Sequence, residues 1–215
     1  MRDADAVVGA DVGGGGQTLF VERDHMERVP ILVEGAPEAV GLAGGCGDAV
    51  LLDAANEHEL LLDLCTQLGV RQVIETHGHW DHIQAVPAVR DAGYRVAVTA
   101  EDAAMLPSYD DILEDESVID VGRLRLHTIL TPGHTPGSMC FKLEGAPILF
   151  SGDTLFPGGP GNTEGDPTRF ATIIEQVDRK LFTLPTETLV LPGHGLDTTV
   201  GAERPHLDEW VERGW

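Results

Sequence analysis

The chain has 215 residues, 42% of them hydrophobic, with 14 basic against 36 acidic side chains and a formal net charge of −22. That length and composition exclude a disordered chain and fit one domain with a sizeable core. The negative field excludes partners held through phosphate contacts, nucleic acids and anionic membrane surfaces alike, and no apolar run is long enough to span a bilayer.

The first five residues, Met1-Arg2-Asp3-Ala4-Asp5, lack the basic region and apolar stretch of a signal peptide, so a cytoplasmic location is expected. Gln17–Glu22 and Pro30–Glu34 read as strands, with glycine-rich connections at Gly13–Gly16 and Gly44–Gly47. Gly13–Gly16 is no phosphate loop, because the Gly-Lys-Ser/Thr ending is missing. Ala49–Asp53 reads as a buried strand. Glu57–Leu68 reads as a helix with Leu60, Leu61, Leu64 and Leu68 on one face, Asn56 as its N-cap and Gly69 as its stop. A strand over Val70–Thr76, a helix over His82–Asp91 ended by Gly93, a strand over Arg95–Thr99 and a short helix over Glu101–Leu106 follow. Such alternation predicts a partly parallel sheet covered by helices.

The acidic run Asp110–Asp120 reads as a solvated loop, without the spacing of a calcium-binding loop. Strands are then predicted at Leu124–Leu130, Ser138–Leu143 and Ala146–Phe150, with Gly145 in the last turn. Thr168–Thr183 has the spacing of an amphipathic helix that turns Phe170, Ile173, Ile174, Val177, Leu181 and Phe182 to the core. Thr188–Leu191 closes the set of strands and Glu203–Arg213 the set of helices. Cys46, Cys65 and Cys140 are odd in number and form no Cys-x-x-Cys pair, so reduced thiols are expected, with Cys65 and Cys140 in the core.

One stretch carries chemistry. Thr76-His77-Gly78-His79-Trp80-Asp81-His82 places four metal-capable side chains just after a predicted strand. Imidazole with carboxylate suits Zn²⁺, Fe²⁺ or Mn²⁺, whereas Ca²⁺ takes all-oxygen shells. Three further pieces, Thr131–Gly137 around His134, Gly152-Asp153-Thr154, and Pro192-Gly193-His194-Gly195, each put one candidate ligand beside glycine or proline at the end of an apolar run. His25, His58, His127 and His206 stand alone and are read as non-functional.

The ordered set His-x-His-x-Asp-His, His, Asp, His resembles the metallo-β-lactamase-fold hydrolases, and the flanks Thr131–Gly137 and Gly152–Phe156 resemble their glyoxalase II branch. The likeness runs from about Ala49 to Gly195. It implies an α/β fold, the four-layer αβ/βα sandwich of two face-to-face mixed sheets with helices outside. One domain over residues 1–215 is expected, with no C-terminal helical domain for glutathione, since the chain ends at Trp215 soon after His194.

The resemblance also implies the site. His77, His79 and His134 would hold one divalent ion, Asp81, His82 and His194 a second, and Asp153 would bridge them. Zinc is the first candidate, with iron or manganese as alternatives. Cations bridged in this way lie roughly 3.5–4 Å apart and lower the pKa of bound water from about 15.7 to about 7. The implied reaction is cleavage of a small thioester or ester by metal-bound hydroxide, with Asp81 as a catalytic group that orients it. Glycines 78, 133, 152 and 193 would let the loops approach the metals. Where the family often carries an arginine for the glutathione carboxylate this chain has Asn162, and Arg169 is the candidate replacement. Two other readings are a mononuclear iron enzyme like the persulfide dioxygenases, with His77, His134 and Asp153 as its triad, and a non-catalytic metal-holding module.

Overall fold

The structure is a computed structural model that describes residues 48–214 throughout and, before them, the backbone of strands over 6–13, 16–23 and 27–34. His25, Cys46 and the connection Gly44–Gly47 lie outside the described residues, as do Met1 to Asp5.

Seven strands form the first sheet in chain order: β1 Ala6–Gly13, β2 Gly16–Arg23, β3 Glu27–Glu34, β4 Ala49–Leu52, β5 Val70–Ile74, β6 Arg95–Thr99 and β7 Asp111–Leu113. The first four pair antiparallel, and β4 to β7 run parallel. The second sheet holds β8 Val118–Val121, β9 Leu124–Leu130, β10 Met139–Leu143 and β11 Ile148–Gly152, then β14 Leu189–Pro192 and β15 Thr198–Thr199. The short ribbon β12 Leu155–Phe156 with β13 Gly159–Pro160 stands apart. Within the second sheet only β11 and β14 are parallel.

The period-2 alternation of the strands sorts the core into three layers. Ala49, Leu51, Val73, Val96 and Val98 pack outward on helices α1 His58–Leu68 and α3 Val86–Asp91, through Leu61, Leu64, Val86 and Val89. Their alternates Val50, Leu52, Ile74 and Ala97 face Leu126, Phe141, Phe150 and Leu191 of the second sheet. Cys140, Leu149 and Val190 on the far side meet Ile173, Val177, Leu181 and Trp210. Those last residues come from α4 Pro167–Gln176, the turn after it, and α6 Leu207–Arg213. The result is the predicted α/β sandwich. Cys65 and Cys140 are buried in it, and burial pushes their thiols up to about 12 and about 11.

Several boundaries differ from the sequence reading, each for a local reason. Glu57, not Asn56, caps α1; it sits at φ 51, and the Asn56 side chain accepts its amide instead. Gly69 ends the helix at φ 71, as expected. The helix predicted over His82–Asp91 is two, α2 Trp80–Ile83 and α3, because the Ala85 amide leaves the ladder for the carbonyls of Ala54 and Ala55. Pro87 then falls in the first turn of α3, where a missing amide does no harm. Glu101–Leu106 contracts to a single 3-10 turn over Ala103–Met105. Pro205 likewise splits the closing helix into α5 Val200–Glu203, a 3-10 turn and α6. After α4 the chain continues as a π-helical turn over Val177–Leu181. Phe170 and Ile174 are only half-buried and line an open groove with Leu207 and Val211.

Asp110–Asp120 is not a plain loop. It supplies β7 and β8, and arginines neutralise the carboxylates where β7 begins: Arg90 bonds Asp110 at 2.7 and 3.0 Å, and Arg95 pairs with Asp111. The Arg90 hydrogen bond and the Val96 amide hold the Asp110 carboxyl down at about 2. A depressed folded pKa contributes stability above the unfolded value of 3.8 that is lost as pH falls through about 2. Asp110→Asn is therefore expected to flatten that acid limb, read by urea unfolding at stepped pH. An unchanged limb contradicts the assignment.

Candidate metal centre

All four pieces of the sequence pattern arrive at strand ends on one side of the sandwich. Thr76 to His79 follow β5, Asp153 follows β11, His194 follows β14, and His134 lies in the connection from β9 to β10. Open α/β sheets collect ligands at such carboxyl ends. The seven predicted side chains are brought together. Three sets, His77–His79–His134, His77–His82–Asp153 and Asp81–His82–His194, each have ligand atoms within 4.8 Å of one another.

The contacts are close. His79 Nδ1 lies 2.8 Å from His134 Nε2, and His82 Nε2 lies 3.0 Å from His194 Nε2. Asp153 reaches both sides: Oδ2 is 3.5 Å from His134 Nε2 and 3.6 Å from His194 Nε2, and Oδ1 is 3.5 Å from His82 Nε2. Asp81 Oδ2 is 3.2 Å from His194 Nε2, and its side chain is 44% exposed, so it stands at the mouth.

Neighbours settle which imidazole nitrogens are free. His134 Nδ1 donates to the Asn162 carbonyl at 2.8 Å, and His82 Nδ1 donates to Asp53 Oδ2 at 2.8 Å. The Thr76 hydroxyl gives its proton to Asp53 Oδ2, so it accepts from His77 Nδ1 at 3.0 Å. In each ring Nε2 is the atom aimed at the others, an arrangement usual behind metal-binding histidines. His77 Nε2 and Asp153 Oδ1 are buried with no hydrogen-bond partner. A buried acceptor left unpaired is costly. A cation beside His77 Nε2 and Asp153 Oδ1 removes that cost, so the donor set fits one.

Electrostatics agree for His77 and His134 and oppose for His82. Burial pushes the His77 and His134 pKa values down, which keeps these rings neutral with bare lone pairs. Burial also opposes charge on His82, but the carboxylates of Asp53 and Asp153 outweigh it and raise its pKa. Burial raises the Asp153 carboxyl, yet the facing His82, His77 and His134 hold it below the usual carboxylate range.

Sequence reasoning missed the supports. Asp53 is a buried non-glycine at φ 64, a strained conformation held by its bonds to the Thr76 amide, the Thr76 hydroxyl and His82. Asp53→Asn removes the anionic partner of His82 and is expected to cost about 10–100-fold in metal affinity. Isothermal titration with Zn²⁺ checks it, and unchanged affinity refutes it. Glu75, buried behind Asp53, accepts the Ala54 amide; burial and the Asp53 charge raise its pKa well above normal.

Arg169 is not a spare cation. Its guanidinium donates to the carbonyls of Gly133 and His134 and to Glu164, so it braces the His134 loop. Of the expected close-approach glycines, only Gly193 abuts the cluster: a β-carbon there would sit 2.7 Å from both Asp153 Oδ1 and His82 Cε1. Gly78, Gly133 and Gly152 make room for Met105, Ile173 and Thr76 instead. His58 and His206 are exposed, and His127 pairs with Glu144 on the surface.

Fold and site together define a class, a two-sheet αβ/βα sandwich with five histidines and two aspartates clustered at its strand ends. The Metallo-beta-lactamase superfamily profile matches residues 35–194, and the chain belongs to that superfamily. It is 34% identical over 157 residues to the probable metallo-hydrolase YqgX of Bacillus subtilis, covering 61% of this chain and 72% of that one. It is 36% identical over 151 residues to the hydroxyacylglutathione hydrolase of Fuscovulum blasticum, covering 69% of this chain but only 58% of that enzyme. A solved structure of TTHA1623 in a di-iron-bound form superposes with a TM-score of 0.65 at 28% identity, over 82% of this chain and 92% of that one.

Proposed function

We propose that this metallo-hydrolase cleaves a small thioester or ester. The observation that carries the reading is the convergence of seven side chains with two buried atoms, His77 Nε2 and Asp153 Oδ1, that lack a hydrogen-bond partner. In this reading His77, His79 and His134 hold one divalent ion, Asp81, His82 and His194 the other, and Asp153 contacts both. Zinc is the first candidate, and the di-iron form of TTHA1623 supports iron as an alternative. Two such ions, when bound, supply an ionised water nucleophile at neutral pH and an electrophile for the carbonyl.

The chain's own residues do the rest. Asp81, half-exposed at the mouth and 3.2 Å from His194, is placed to accept a hydrogen bond from the attacking water and orient it. Asp53 and the Asn162 carbonyl fix the rings of His82 and His134, so little reorganisation is needed during reaction. Water adds to the carbonyl carbon, the C–S or C–O bond breaks, and the leaving sulfur or oxygen takes a proton. The net charge of −22 supports a small-molecule substrate over a nucleic acid. Arg169 is occupied, which removes the expected anchor for a glutathione carboxylate and favours a simpler thiol portion.

Elemental analysis with a thioester assay tests the proposal. About two metal ions per chain with thioester turnover is the expected result. About one iron per chain, with oxygen uptake on a persulfide and no hydrolysis, would replace it with the dioxygenase reading. Bound metal with neither activity would leave a metal-holding module.

A further inference from the structure

Asp102 belongs to none of the sequence motifs, yet it is fully buried and both its oxygens are used. Oδ2 accepts the Gly78 amide at 2.9 Å and the Thr135 hydroxyl at 2.6 Å, and Oδ1 accepts the Gly137 amide at 2.8 Å. Gly78 lies between His77 and His79, and Thr135 and Gly137 follow His134. One carboxylate therefore fastens together the two loops that carry His77, His79 and His134. The approach is built in: a β-carbon on Gly137 would overlap the Thr99 hydroxyl and sit 2.7 Å from Asp102 Cγ. Thr99 completes the clamp by donating to the Gly137 carbonyl at 2.9 Å. The other set is supported differently, with His82 held by Asp53 and His194 carried by the end of β14.

We infer that Asp102 is a positioning residue for the His77–His79–His134 set, and that its loss weakens a cation held there while sparing the Asp81–His82–His194 set. The inference rests on the reading of these residues as metal ligands, not on the substrate. Asparagine keeps the shape of Asp102 but offers one oxygen and one NH₂ group. That NH₂ must face either the Gly137 amide or the Gly78 amide and Thr135 hydroxyl, donor against donor. The buried amide left unpaired forces a loop to move, and the histidines move with it.

The test is titration of the full, metal-free chain with Co²⁺ alone, following visible absorption at both sites. The site in question is identified as the one that His79→Ala removes. Asp102→Asn is expected to weaken that site by about 10–100-fold, the usual loss for a residue that orients metal ligands, and leave the other unchanged. Thr135→Val, which keeps both amide bonds, should show a smaller loss at the same site, and Thr135→Ser none. Unchanged affinity, or equal weakening of both sites, overturns the inference. Should Asp102→Asn fail to fold by circular dichroism, Thr135→Val decides on the same criterion. A parent chain that binds Co²⁺ at both sites but cleaves no thioester refutes the proposed activity and leaves this inference standing; one that binds no Co²⁺ refutes both.

Discussion

Asp153→Ala is expected to empty the centre and abolish hydrolysis. Asp153 is the only predicted carboxylate that touches ligand atoms of both histidine sets, at 3.5 Å from His82 and His134 and 3.6 Å from His194. Its side chain is 11% exposed, so no water replaces its charge at full strength. Without it, the imidazole cluster keeps only the half-exposed Asp81 as a direct anionic ligand. Metal content should fall from about two per chain to below one, and turnover by at least about 10³-fold. Elemental analysis and steady-state thioester kinetics read the two effects. Hydrolysis retained within tenfold of the parent would end the bridging assignment.

The second large effect comes from a residue without a functional group. A β-carbon at Gly161 would overlap the Asp153 carbonyl oxygen and lie 3.2 Å from His134 Nδ1. That nitrogen already donates to the neighbouring Asn162 carbonyl. Both obstacles are fixed, one being backbone and the other a ring held on two sides, so Gly161→Ala must push the Asp153 and His134 segments apart. Forcing extra volume into a packed site costs typically about 1–3 kcal/mol. At about 3 kcal/mol the melting temperature of a domain this size falls by roughly 6–12 °C. Metal affinity should drop with it, since the same shift separates ligands of the two sets. Calorimetry and Zn²⁺ titration of the variant check both, and a melting temperature within about 2 °C of the parent would show that the loop yields freely.

The candidate ligands were legible because their signals are local. His77, His79, Asp81 and His82 share one short segment, and His134, Asp153 and His194 each follow an apolar run that can only be a strand beside a glycine or proline. Strand positions were legible for the same reason: Arg95–Thr99 and Leu124–Leu130 match their predicted bounds. Helix continuity was less so. The break after Ile83 depends on the Ala85 amide choosing carbonyls about thirty residues earlier, at Ala54 and Ala55, over its own helix. The acidic run at Asp110 supplies β7, and the Arg90 and Arg95 that neutralise its start are distant in sequence.

By itself the sequence marked most strands and the candidate ligands, since apolar periodicity and His/Asp-bearing strand ends are written in consecutive residues, and its family resemblance implied the fold class and which side chains meet. Only the tertiary structure decided what holds them in place. Asp53, at the end of a predicted strand, Asp102, in a predicted short helix, and Gly161 carried no role in the sequence reading, and the contacts of the two aspartates span 24 residues from Asp102 to Gly78, 29 from Asp53 to His82 and 35 from Asp102 to Gly137. A buried carboxylate is tolerable only where donors converge on it, and that convergence exists only once the two sheets have closed on each other.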